Sequence, residues 1–360
     1  MPRSADNRRT RRLLASLAFC VLLLTILTLA SAVVKPGRNG IDGQGGSAWT
    51  TYRELPSDSV DVLFLGNSHV FVGVDPAEVW RTRGIPSFVL GGPTQQLKLT
   101  RFYLAEALKT QRPRVVALEL SSIAYGETHF NREFQQINVG YMPLSAEKLK
   151  AAFLSTPPSE RAGVLVDLWT YHGRWSSLTK RDFDLLGKNR GGEFLNGFLP
   201  KRGSVEVTPT ASPMPEDVRA RADAALAYNL PYLREIAGIC EDADAELLLF
   251  LTPTGPPNAY SYQLEKVEAV LGSEFDNVRT LDLSEPGSVP GLSYETDFID
   301  GGHLTYTGAA KMSAALATAL GDEYSLPDRR SESGDRTARW TSGLAKHDAY
   351  LRSFGSATGD

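Results

Sequence analysis

The stretch Val60-Asp61-Val62-Leu63-Phe64-Leu65-Gly66-Asn67-Ser68-His69 (VDVLFLGNSH) sets the fold. Its first six residues are a short, nearly continuous apolar run. That is the pattern of a strand buried on both faces, as in a parallel sheet. Gly66 then permits a tight turn, which leaves Ser68 just past the carboxyl end of the strand. Working outward, Asp75-Pro76-Ala77-Glu78 reads as a helix start. Asp is the cap, proline occupies the first turn, and Glu78 is placed to return a bond to the cap. Ser87 to Leu90 is a second strand, Gln95 to Thr110 an amphipathic helix, and Arg114 to Leu120 (RVVALEL) a third strand. Later come a helical stretch from Glu216 to Glu241, with Pro231 marking a kink or break, and a fourth strand from Glu246 to Leu251 (ELLLFL). A helix from Tyr260 to Leu271, a fifth strand from Val278 to Leu283 and a last helix from Thr305 to Leu320 complete the series. Strands alternating with helices predict an α/β fold: a three-layer sandwich around a mostly parallel sheet of about five strands. In such sheets ligands bind beyond the carboxyl ends of the strands.

The expected core domain therefore runs from 59 to 322, interrupted by an irregular insertion over about 121–215 that holds aromatics, prolines and Gly191-Gly192. Residues 35–58 read as a linker and 323–360 as a loosely ordered polar tail. In front of all this, Arg3, Arg8, Arg9, Arg11 and Arg12 crowd the first dozen residues. The run Leu13 to Val34 that follows is long enough to cross a bilayer as a helix. Basic residues before an apolar span favour a cytoplasmic amino end. A signal anchor over 13–34, behind a basic segment over 1–12, is the favoured reading. Cleavage after Ala30-Ser31-Ala32 is the rival, and both export the rest of the chain.

Composition narrows the function. The 360 residues are 42% apolar and 22% charged, which suits a globular domain with a sizeable core. A net charge of -4 carries no nucleic-acid footprint. Cys20 lies inside the apolar run and Cys240 in a distant helix, so no disulfide framework is expected. No cysteine–histidine cluster has structural-zinc spacing, and no metal is expected.

A serine is a weak nucleophile until a base takes its proton. Of the five histidines, His303 has an orienting acid nearby: Asp300-Gly301-Gly302-His303 sets a carboxylate three residues before it across a glycine-rich turn. A turn of that length folds the carboxylate onto one imidazole nitrogen and frees the other for Ser68. This segment lies between the last strand and the last helix, again at the carboxyl edge of the sheet. Ser68, His303 and Asp300 are therefore the candidate catalytic set. His69 is expected to act as wall or support, because neighbouring side chains diverge. In the insertion His172, Arg174, Trp175, Tyr125 and Tyr141 are candidates for a saccharide-binding wall, although aromatics in such a segment more often form its own small core.

These residues carry a family resemblance. Gly66–His69 (GNSH) resembles the first block of the SGNH/GDSL hydrolases, and Asp300–His303 (DGGH) resembles their last block. The resemblance spans about Val60 to Leu320. It implies a flavodoxin-like fold with Ser68 as nucleophile, His303 as base and Asp300 as its partner. Gly91-Gly92 resembles the second block, so the N–H groups of Ser68 and of Gly91 or Gly92 would hold the oxyanion. The third block usually supplies an asparagine after the third strand, but here the strand ends Leu118-Glu119-Leu120-Ser121-Ser122. Asn67, Gln95, Gln96 and Ser121 are the substitute donors to consider; losing one donor costs on the order of a hundredfold or more in rate. Phe88–Pro93 and Tyr171–Trp175 resemble stretches of the divergent, membrane-anchored envelope branch, similar to the proteins of alginate O-acetylation and lipoteichoic-acid D-alanylation.

The resemblance implies a bacterial cell-membrane protein with its catalytic domain outside. It would be a serine esterase or O-acyltransferase acting on acyl esters of an envelope glycopolymer, without metal or organic cofactor. It further implies an integral-membrane O-acyltransferase as partner. The alternative is a non-catalytic relative that binds a polysaccharide or serves envelope assembly, and the missing asparagine is its best support.

Overall fold

Alternate residues of each central strand feed opposite faces, and that alternation builds the architecture. A computed structural model describes residues 3–36, 46–184, 193–207, 214–255, 259–285 and 287–356. Among the described residues five strands form one sheet: β1 (Val62–Gly66), β2 (Ser87–Gly91), β3 (Val115–Glu119), β4 (Glu246–Leu251) and β5 (Val278–Asp282). Every pairing is parallel, and the order is β2-β1-β3-β4-β5. This is the flavodoxin-like order, whose switch point falls between β1 and β3.

The helices, in chain order, are α1 (Arg3–Val34), α2 (Gly46–Glu54), α3 (Ser68–Gly73), α4 (Pro76–Arg83), α5 (Leu97–Ala107), α6 (Arg132–Tyr141) and α7 (Ala146–Ser155). There follow α8 (Arg161–Leu165), α9 (Asp167–Tyr171), α10 (Lys180–Asp184), α11 (Glu216–Asp242), α12 (Tyr260–Glu274), α13 (Tyr306–Tyr324) and α14 (Asp335–Ser356). Leu63, Leu65, Leu90, Leu118 and Leu249 point to one layer, with Tyr52 of α2, Leu104 of α5, Ile236 of α11 and Val267 of α12. Val62, Phe64, Val89, Ala117 and Phe250 point to the other, with Val79 of α4 and Met312 and Leu316 of α13. Burying apolar surface on both faces is what selects β-branched and leucine-rich strands here.

Helix α4 starts as its sequence suggests: Asp75 caps it by accepting from Ala77 N at 2.9 Å, and Pro76 fills the first turn. Glu78 does not return to the cap. Asp75 N instead donates to Ser313 Oγ of α13 at 2.7 Å, which ties the two helices together, and Glu78 pairs with Arg81.

Four expectations need correction. The polar tail over 323–360 is not loose, because 335–356 is the helix α14. Trp340 of α14 stacks on Trp80 of α4 with centroids 5.2 Å apart, and His347 is buried against Asp75. The linker over 35–58 contains α2, whose Trp49 and Tyr52 are buried in the core; residues 37–45 lie outside the described residues. The insertion over 121–215 is largely short helices rather than irregular chain, and Asn131 and Ser145 cap α6 and α7. Gly191-Gly192 lies outside the described residues. Finally, α11 runs unbroken through Pro231.

The amino-terminal basic segment and the apolar run are one helix. Within α1, Arg8–Val34 is a stretch of 27 residues long and apolar enough to cross a membrane, and side chains such as Leu14, Phe19 and Leu24 are exposed.

Candidate active site

The turn after β1 is shaped by Gly66, whose φ of +146° is a backbone conformation that side-chain-bearing residues rarely adopt. A Cβ there would meet the Cβ of Glu119 at 3.0 Å, so the close approach of β1 to β3 also requires glycine. Asn67 then caps α3 by accepting from His69 N at 2.9 Å, and Ser68 becomes the first residue of that helix. The first N–H groups of a helix have no intrahelical acceptor, so the Ser68 amide spends no hydrogen bond within α3.

The second half of the site arrives from 235 residues away. Phe298 and Leu304 form an antiparallel bridge, and Ile299 N donates to His303 O at 2.9 Å. Between them the Asp300–His303 turn closes on itself: Asp300 Oδ1 accepts from Gly302 N and His303 N, each at 2.9 Å. Gly301 O accepts from Gly255 N at 2.9 Å, which fixes the turn to the chain beyond β4. His303 Nδ1 lies 3.0 and 2.9 Å from the two Asp300 oxygens, and His303 Nε2 lies 2.7 Å from Ser68 Oγ. An Nδ1–H donated to the carboxylate leaves Nε2 bare, ready to accept the serine hydroxyl proton. Burial works to raise the Asp300 pKa, but the two backbone N–H groups and the imidazole outweigh it and hold the carboxyl below its ordinary range.

His69 stands against this relay. Its ring centroid is 5.0 Å from that of His303, and a Cβ on Gly302 would touch it at 3.0 Å. Burial pushes the His69 imidazole down to about 3, and the neighbouring His303 adds to the effect. His69 is therefore neutral, and its Nδ1 lies 3.1 Å from Thr252 Oγ1.

Beneath the site is a group that sequence reasoning missed. Glu119, the last residue of β3, is fully buried. It accepts from Ser121 Oγ at 2.7 Å, from Ser121 N at 3.2 Å, and from the backbone and hydroxyl of Thr252. Ser121 Oγ in turn accepts from Asn67 Nδ2 at 2.9 Å. Donors thus converge on one carboxyl from Asn67 through Ser121 and from His69 through Thr252. Burial raises Glu119 to about 7 even though these hydrogen bonds pull the other way. An acid inside a strand otherwise apolar on both faces was the available signal.

The expected oxyanion donors are distributed unevenly. Gly92 N donates to Gly66 O at 3.2 Å, whereas Gly91 sits level with Gly66 in the β1–β2 register. Asn67 Nδ2 is directed at Ser121 and, at 3.5 Å, at Tyr125. Gln95 is fully buried and donates to Thr100 Oγ1 at 3.1 Å, Gln96 donates to His129 O, and Ser121 donates to Glu119. Each of the four substitute side chains already has an acceptor within the protein.

The candidate saccharide wall divides. Tyr125 lies beside Asn67 and stacks on His129, with centroids 4.0 Å apart. His172, Arg174 and Tyr141 make their contacts elsewhere. His172 Nδ1 is 2.9 Å from Trp169 O, Arg174 donates to Val34 O at the end of α1, and Tyr141 donates to Pro36 O. Trp175, next to Arg174, is about half exposed. No protein-family model matches this chain, and no curated protein matches it.

Proposed function

We propose that the chain is an extracytoplasmic serine esterase or O-acyltransferase that acts on acyl esters of a cell-envelope glycopolymer. The observation that carries this reading is the continuous Ser68–His303–Asp300 relay at the carboxyl end of β1. Ser68 Oγ attacks the acyl carbonyl carbon while its proton passes to His303 Nε2. The carbonyl electrons move to oxygen, and the Ser68 N–H holds the oxyanion, with an N–H of Gly91 or Gly92 as the second donor that the resemblance implies. Collapse breaks the ester C–O bond, and His303 returns the proton to the departing alkoxide. Water or a sugar hydroxyl then attacks the acyl-serine, giving its proton to His303, and the second collapse restores Ser68 O–H. The chain's resemblance to the envelope SGNH branch supports the polymer and an integral-membrane acyltransferase partner, and α1 supports the membrane setting.

The commitment of Asn67, Gln95, Gln96 and Ser121 to other acceptors favours a second reading, in which the domain binds or presents an acylated polysaccharide without turnover. One comparison separates the two. The full chain in detergent should hydrolyse an aryl acetate, and Ser68→Ala should abolish this. Equal inertness of both, with polymer retained by both, supports the binding protein instead.

A further inference from the structure

The carboxyl end of α1 is fixed to the domain. Val34 is fully buried, and its carbonyl accepts from Arg174 Nη1 at 2.6 Å. Lys35 Nζ lies 2.8 Å from the Asp167 carboxylate, donates to Gly140 O at 2.7 Å, and sits 4.3 Å from the centre of the Tyr141 ring. Lys148 of α7 donates to the same Gly140 carbonyl at 2.6 Å. The end of α6, the start of α7, the start of α9 and the turn over 172–177 therefore meet at the point where α1 leaves its apolar stretch.

Around that point the insertion exposes large apolar side chains. Leu144 is 86% exposed, Trp169 69%, Phe183 53%, Trp175 51%, Val166 49% and Leu149 45%. Each lies within two residues of one that holds the end of α1 or its support. Val166 and Trp169 flank Asp167. Trp175 follows Arg174, and Phe183 follows Asp182, which pairs with Arg174 at 2.9 Å. Leu149 follows Lys148, and Leu144 sits in the turn after Met142, whose carbonyl accepts from Lys148 at 3.2 Å. The charged groups that hold this end of α1, Lys35, Lys148, Arg174 and Asp167, turn inward onto one another and onto the backbone, so the large apolar side chains share the outer surface with exposed groups such as Lys150 and Lys180. Monomeric domains seldom display so many large apolar groups in one neighbourhood without a use for them.

We infer that this collar is a bilayer-docking surface: its tryptophans, leucines, valine and phenylalanine enter the interfacial zone of the membrane that α1 spans and hold the α/β domain at a fixed height. The inference rests on reading α1 as a membrane span. The collar is continuous with α1, whose exposed apolar side chains run as far as Leu29, so lipid is the surface that already reaches it. Tryptophan is also the residue that settles at the membrane–water boundary, with its ring in the acyl region and its N–H toward the headgroups. Apolar side chains inserted to that shallow depth act as an interfacial anchor in addition to the span.

The tryptophans supply the test. Trp49, Trp80 and Trp340 are buried, which leaves Trp169 and Trp175 as the exposed pair among the described residues. The full chain is placed in phosphatidylcholine vesicles whose acyl chains carry bromine either close to the headgroup or near the bilayer centre. Shallow bromines should quench tryptophan emission more than deep ones, and the double variant Trp169→Phe, Trp175→Phe should lose most of that quenching. If bromolipids leave the emission unchanged while aqueous iodide quenches it, the collar faces water. The docking proposal then fails in favour of a protein partner. Extraction of the same vesicles with alkaline carbonate reports on α1 separately: a chain that stays with the lipid keeps the span, and a released chain overturns both readings.

Discussion

Asp300 stands at the solvent edge of the relay, its side chain 54% exposed, yet it receives two backbone N–H groups in addition to the imidazole. That geometry fixes which His303 nitrogen carries the proton. Asp300→Asn keeps the shape but offers an amide that no longer stabilises the imidazolium. Turnover of an aryl acetate should fall by roughly 10³–10⁴-fold with little change in KM, as measured by steady-state kinetics. Glu119 works one layer deeper. Its folded-state pKa is raised to about 7, so the native protein holds a proton there that the unfolded chain releases at lower pH. Stability contributed by this proton is complete below the ordinary glutamate range and is lost as pH rises through about 7. Glu119→Gln cannot titrate. Wild type should therefore lose melting temperature relative to this variant between pH 5 and pH 8, and parallel melting curves would contradict the role given to burial.

Among the elements, α14 shows how a tail acquires structure from few contacts. Its buried residues are Trp340 and His347, and the rest of its sequence is polar enough to read as loose chain. Trp340 stacks on Trp80, and His347 Nε2 meets Asp75 Oδ2 at 2.8 Å behind the cap of α4. Burial opposes charging His347, but the Asp75 and Asp348 carboxylates prevail and raise its pKa above the ordinary histidine value. A raised histidine pKa contributes stability that is complete below about pH 6.5 and is lost as pH climbs through the folded-state value. Thermal melts of His347→Gln should lie furthest below wild type near pH 5.5 and converge with it in alkaline buffer. Tyr350 packs on Phe194 and Phe354 on Tyr306, so Trp340, His347, Tyr350 and Phe354 make a stripe at helical spacing that the polar residues between them obscured. The insertion helices escaped for a related reason. They are only five to ten residues long, though the caps Asn131 and Ser145 were visible.

At the scale of the whole molecule, the sheet was legible because each strand is a short apolar run between polar turns. VDVLFL, RVVALEL and ELLLFL need burial on both faces, and parallel packing is what provides it. Their observed limits lie within one or two residues of the expected ones. The meeting of Ser68 with Asp300 and His303 was legible from residue chemistry, whereas Glu119 and Thr252 were not. Their roles arise from pairings between strands, which a linear reading does not contain. The same long-range pairings make folding slow, since the chain must close large loops before contacts reward it. During refolding from denaturant in detergent, labelling of Ser68 by a fluorophosphonate should return with the last kinetic phase, after most of the helical circular dichroism. Early return of labelling would mean that the site assembles locally.

The 235-residue separation between Ser68 and His303 also has a consequence during biosynthesis. Ser68 leaves the ribosome before the segment that carries its partners, and on the proposed reading it gains its base only after β5 and the Asp300–His303 turn have followed it. A product truncated anywhere before residue 300 carries Ser68 with neither His303 nor Asp300 to meet it. On the proposed reading, the order of the chain acts as a safeguard, because a relay reactive toward acyl groups can form only in a polypeptide that already carries the Asp300–His303 turn.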